Sequence, residues 1–160
     1  VPAPAPAPAL PSGCLWTRND SSESVWRSIF VTRSTLPEMF HASFAMVFAT
    51  HKLQAYQQFE LTLSLLKAAG IPAEYQSHFL VLAKYDSWTQ FLYYACDLDA
   101  QTCETVSQAM DFHKLSLDQI EQIDAERATQ SGLGYLGDRL KFLSARQQLL
   151  TRRFIGFASF

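Results

Sequence analysis

The sequence predicts an all-α fold, an irregular multi-helix bundle behind an extended Pro/Ala-rich N-terminal arm, and three observations carry that expectation. Apolar residues recur three or four apart through Tyr75, Phe79, Leu82, Tyr85, Trp88, Leu92 and Ala95, the spacing of one helix face. Residues 73–130 contain no glycine or proline, and Asn19 is the only asparagine, so tight β-hairpin turns lack the residues they usually need. Five of the seven prolines fall within residues 1–11, VPAPAPAPALP, where alternation with alanine blocks helix and sheet and favours polyproline II. The alternative is an α+β domain. Phe59, Leu61, Leu63 and Leu65 alternate with other residues, and strands would then lie near 43–49, 77–84 and 90–96.

The division expected is an arm or linker over residues 1–19 and one helical domain over 20–160. Fully extended, the first eleven residues would reach about 34 Å. Ser21 or Ser22 is positioned to cap a first helix carrying Val25, Ile29 and Arg33 on one face. Pro37 and Glu38 suit the opening of a second helix running toward a glycine stop at Gly70, with a break near Thr50. Pro72 reopens helix, and Asp86 and Ser87 are placed to divide the apolar stripe behind it into two helices. Asp99 suits the N-cap of a helix through Val106, Met110 and His113, and Ser116 with Gln119 fits a capping box. Leu136, Leu140, Leu143, Leu150 and Phe154 mark the last long helix after a turn at 131–134. No internal repeat is evident in the sequence.

With apolar residues at 48% and charged residues at 18%, the body of the chain can bury enough surface to fold. The net charge of −2 supplies no global field for a polyanion. Charge is ordered locally: residues 97–126 carry eight acids and one base, and residues 127–160 carry six bases and one acid. An antiparallel hairpin of 117–130 with 135–155 would let these arms attract each other. The basic residues Arg139, Lys141, Arg146, Arg152 and Arg153 lack the aromatic interleaving of a nucleic-acid surface, which argues against that partner. The apolar runs Phe44–Ala49 and Phe79–Ala83 are too short for a transmembrane segment. A start at Val1 rather than Met is compatible with a processed secreted, periplasmic or organellar protein, and the compartment stays open.

Three cysteines, Cys14, Cys96 and Cys103, do not make a disulfide framework. A continuous helix would hold Cys96 and Cys103 about 10 Å apart, so free buried thiols are the expectation. The chain has no nucleophile elbow, phosphate loop or dinucleotide fingerprint, and it is read as non-enzymatic, with no catalytic residue and no cofactor assigned. Glu38 with His41 and Glu74 with His78 share helix faces, but one Glu-x-x-His motif is fewer than a carboxylate-bridged dimetal site requires. A metal-dependent enzyme using these groups is the third functional reading. The second is a small-molecule or cofactor pocket enclosed by Phe40, Phe44, Met46, Phe79 and Trp88. The first is a helical interaction or scaffold protein, one subunit of a larger complex. Its partner-binding residues would be Pro2, Pro4, Pro6, Pro8, Trp16, Phe154, Phe157 and Phe160, because a stiff arm and terminal aromatics suit contacts with another protein.

Overall fold

The computed structural model describes residues 10–158, with side chains through residue 153. It is all-α: 68% of it is helical, and no strand occurs among the described residues. The segments weighed as strands are helix α2 (His41–Thr50), helix α4 (Ala73–Leu80) with a 3-10 turn (Val81–Ala83), and a helical stretch over 88–95. Their apolar composition suits strands, but side chains three and four apart meet the core here, and no residue pattern supplies hairpins. The Pro/Ala stretch 1–9 lies outside the described residues. Residues 10–19 turn without forming helix, and Pro11, Cys14 and Trp16 are buried.

The chain divides into two compact units, Trp16–Asp86 and Val1–Leu15 with Ser87–Phe160. In the first, helix α1 (Glu23–Arg33) begins where the Ser22 hydroxyl accepts the Val25 N–H. It lays Trp26, Ile29 and Phe30 against α2. Trp26 meets Phe48 edge-on at 4.9 Å, and Phe30 lies 5.4 Å from Phe79 of α4, so three helices share one aromatic core. The expected helix from Pro37 to Gly70 is instead a 3-10 turn (Glu38–Phe40), α2, a second 3-10 turn (Ala55–Glu60) and helix α3 (Leu63–Ala68). The break after Thr50 and the stop at Gly70, where φ is 81°, are where the sequence put them. Arg33 closes this unit from the end of α1. Its guanidinium reaches Gln58, the Leu82 and Lys84 carbonyls and Asp86 while lying over the Phe59 ring.

In the second unit, Ser87 caps a single turn of helix α5 (Trp88–Gln90), which runs on as a π-helical segment (Phe91–Ala95). Asp99 accepts the Thr102 N–H at 2.8 Å and opens helix α6 (Ala100–Phe112). The Ser116–Gln119 capping box opens a 3-10 turn (Leu117–Gln122) rather than an α-helix. Asp124 then caps helix α7 (Ala125–Gln130), and helix α8 (Leu136–Ala158) comes last. The acidic arm expected as one helix over 117–130 is therefore two short pieces. Asp124 takes the Arg127 N–H and starts a new helix where a continuous one was expected.

The structure also corrects the absence of an internal repeat, because both units use one series of devices 62 positions apart. Trp26 donates its indole N–H to the Leu53 carbonyl at 2.8 Å, and Trp88 donates to the Leu115 carbonyl at 2.7 Å. Both indoles thus tie a helix to the end of the next one. That next helix stops in the sequence His-Lys-Leu both times, with Lys52 at φ 56° and Lys114 at φ 57°. The leucine N–H then returns to a buried residue: Leu53 to the Phe48 carbonyl at 3.1 Å, Leu115 to the Met110 carbonyl at 2.9 Å. A capping box comes next in each, Gln54 with Gln57 and Ser116 with Gln119, opening a six-residue 3-10 turn. Thr62 and Asp124 cap the short helices α3 and α7, and these end at Gly70 and Gly132. Ile71 and Leu133 close the same backbone ring as Leu53 and Leu115. Equivalent positions are buried alike: Ile29 with Phe91, Phe30 with Leu92, Leu36 with Leu98, and Leu61 with Ile123.

Candidate interaction surface

Helix α2 carries no charged residue from Ala42 to Thr50. Its inward face is Ala45 and Phe48, both fully buried. A surface helix normally opposes its apolar stripe with a polar one, and a helix apolar on every side is normally covered. Met39, in the turn that leads into α2, is 78% exposed, and Met46 is 58% exposed. Ala42, Ser43 and Thr50 extend the same outward face. The second unit provides an internal comparison. The positions of α6 equivalent to Met39, Ala42, Ser43 and Met46 hold Gln101, Glu104, Thr105 and Gln108. At four of the five outward positions the equivalent helix thus tolerates polar residues, the fifth holding exposed Phe112 where α2 has Thr50, so the methionines of α2 are not demanded by the fold.

The first unit also contains a pocket of about 280 Å³ at the corner between α2, the turn Ala55–Glu60 and α3. Phe48, Leu61 and Leu66 form its buried wall, Leu53 and Leu65 flank it, and His51, Gln57 and Glu60 stand among its polar residues. Of the residues expected to enclose a pocket, Phe40, Phe44 and Phe79 pack with Tyr75 at ring separations of 5.1 to 6.5 Å, Met46 points outward, and Trp88 belongs to the other unit.

Of the residues expected to contact a partner, Pro2, Pro4, Pro6, Pro8 and Phe160 lie outside the described residues. Phe154 and Phe157 fall in α8, beyond the last described side chain. Trp16 is buried, its indole N–H donated to Ser28 Oγ at 2.9 Å.

The histidine pairs are engaged locally. His41 Nε2 meets the Leu36 carbonyl at 2.7 Å, and His78 Nδ1 meets Thr35 Oγ1 at 2.7 Å. Among the described residues no group of three or more His, Cys, Asp or Glu could hold a metal ion. Cys14, Cys96 and Cys103 are buried thiols in no disulfide. Burial, reinforced by Glu104, pushes the Cys14 thiol up to about 12. Burial likewise carries Cys103 to about 12, with Cys14 once ionised and the carboxylates of Asp99 and Glu104 adding to it. Neither is an activated nucleophile. Glu104 is held below the usual carboxylate range by the Ser12 N–H, which it accepts at 2.6 Å.

Three basic residues of the last helix donate to neutral acceptors. Arg146 donates to the Ile120 and Glu121 carbonyls, Arg139 to Thr129 Oγ1 and Lys141 to the Asp97 carbonyl. Arg153 and Asp118 form an ion pair at 3.9 Å, with Asp118 almost fully exposed. Among the described residues no helix is long and apolar enough to cross a membrane. No family model, curated protein or solved structure matches the chain.

Proposed function

We propose that the protein is a helical interaction protein, a subunit whose contact surface is the outward face of α2 and the turn before it. One observation carries this reading: a helix with no charged residue from Ala42 to Thr50 leaves Met46, and Met39 in the turn before it, exposed where the equivalent positions hold Gln108 and Gln101. Methionine suits such a face because its unbranched, polarisable side chain adapts to a partner's contour. The Pro/Ala arm and the C-terminal phenylalanines remain compatible with this surface as further contact elements.

The test places a photo-crosslinking residue at Met46 in the full chain and follows it by native mass spectrometry. The expected result is a discrete crosslinked assembly that is lost in the Met39→Gln, Met46→Gln variant while the melting temperature stays within a few degrees. The reading fails if Met46 crosslinks to nothing and the variant behaves as its parent. A second reading, a small-molecule binder, is favoured by the corner pocket beside α3. A small molecule retained in native spectra, and displaced by Leu66→Phe, would support that reading instead.

A further inference from the structure

We propose that the partner of the α2 face is a second copy of this chain, the two α2 helices pairing antiparallel about a two-fold axis near Ser43 and Met46. This inference rests on reading that face as an interaction surface and names its occupant. Charge is ordered along the helix in the way such a pairing needs. Exposed Glu38 stands at the N-terminal end and exposed Lys52 just past the C-terminal end, while the outward positions between them, Met39, Ala42, Ser43 and Met46, are uncharged.

A two-fold contact sets every residue of the patch against the same patch reversed, so a charged centre would meet its own charge. This centre carries none. Antiparallel pairing instead brings Glu38 of one copy opposite Lys52 of the other, and the two-fold makes that contact twice. It also runs the helix dipoles head to tail, which favours the same orientation. A parallel pairing would put Glu38 against Glu38 and Lys52 against Lys52. The small residues Ala42 and Ser43 at the middle of the face allow close approach of the backbones, and the methionines on either side fill the space around them.

The unit built on α6 has no such order. Its outward face carries Glu104 at the position of Ala42, and that carboxylate is already occupied by the Ser12 N–H within its own unit. The two-fold contact therefore belongs to α2 and not to its counterpart.

The experiment is a charge swap on the full chain, read by analytical ultracentrifugation over a concentration series. The parent should dimerise. Glu38→Lys alone and Lys52→Glu alone should each weaken the dimer about tenfold or more, because each replaces two attractive contacts by two repulsive ones. The double variant Glu38→Lys, Lys52→Glu should recover parental association. Circular dichroism melting of every variant separates a lost contact from a lost fold, and Met46→Gln supplies a second route to the monomer if a charge variant fails to fold. A monomeric parent at its highest soluble concentration overturns the inference, and so does a double variant no better than the singles. Should the parent be monomeric while Met46 still crosslinks a different protein, the interaction reading stands and only the identity of the occupant falls.

Discussion

Replacing Arg33 by methionine should cost the first unit about 2–4 kcal/mol, far more than removing the acid it pairs with. The side chain is 6% exposed, so its guanidinium has exchanged water for protein acceptors. Those acceptors are Gln58 Oε1, the Leu82 carbonyl at 3.0 Å, the Lys84 carbonyl, and Asp86 Oδ2 at 3.2 Å. Gln58 and Leu82 are buried, so each acceptor abandoned there costs about 1–3 kcal/mol. Relief from desolvating the guanidinium offsets part of that sum, and the methionine stem keeps much of the packing on Phe59. Arg33→Lys should recover only part of the loss, since one ammonium cannot span four acceptors arranged around a planar fork. Asp86→Ala should cost about 0–1 kcal/mol, because that carboxylate is 60% exposed. Urea titration monitored by tryptophan fluorescence reads this unit through Trp16 and Trp26. A midpoint for Arg33→Met at or above the parent's, or Asp86→Ala as costly as Arg33→Met, would refute the reasoning.

The same geometry sets three further outcomes. Asp99→Ala should lower stability by about 0.5–2 kcal/mol in a urea titration, because it removes the cap on the Thr102 N–H of α6. Arg146→Met should destabilise the second unit by an amount that persists at high salt, since its acceptors are carbonyls, whereas Asp118→Asn should shift the melting temperature little at any ionic strength. Stability should fall as pH rises above 9.0 toward 12, because the unfolded chain releases the Cys14 and Cys103 protons in that window while the folded chain still holds them; Cys14→Ser should flatten the slope.

Local chemistry was legible in the sequence. Ser22, Asp99, the Ser116–Gln119 box and the Gly70 stop depend on a side chain and the backbone within three residues of it, so residue type and spacing suffice. Two devices escaped for a shared reason. A search for turns that looks for glycine passes over Lys52, Asp97 and Lys114, each of which takes positive φ without being glycine. Trp26 and Trp88, and the two His-Lys-Leu stretches, stand 62 apart in the sequence itself, but few other residues are identical at that offset, so the duplication becomes plain only when the turns and hydrogen bonds repeat as well. A 3-10 turn leading into a capped helix also keeps apolar residues three apart, as Leu117, Ile120 and Ile123 do, so 117–130 reads as continuous. The charge contrast between 97–126 and 127–160 was visible, but not that Arg146 would choose the Ile120 and Glu121 carbonyls and Arg139 the Thr129 hydroxyl over carboxylates.

The candidate surface was hidden by an assumption about burial. The sequence reading set Phe44 and Met46 together around an enclosed pocket, whereas Ala45 and Phe48 are the fully buried residues of this run. Only the fold shows that Met46 points the other way. The Pro/Ala arm and the terminal phenylalanines favoured in the sequence lie largely outside the described residues, so the surface now proposed comes from a different part of the chain.

The duplication lets structural demand be separated from recognition at a single residue type. Lys52 and Lys114 occupy the same left-handed position after the same helix end, where glycine would avoid the steric cost of a side chain. Some of that cost is offset in both copies, because an ammonium beside the last carbonyls of a helix complements its negative end. Replacement by glycine should therefore stabilise either copy by at most about 1 kcal/mol. The two substitutions should then part company. Lys114 stands at the end of α6, whose outward positions Gln101, Glu104, Thr105 and Gln108 are polar although Phe112 is exposed, and Lys114→Gly should leave association unchanged. Lys52 is the cation set against Glu38 in the proposed two-fold contact, and Lys52→Gly should weaken association while the domain melts no lower than its parent. Paired melting and sedimentation measurements on the two variants decide the matter: equal effects on association would make Lys52 a helix stop and nothing more, and would remove the charge order from which the antiparallel pairing was argued.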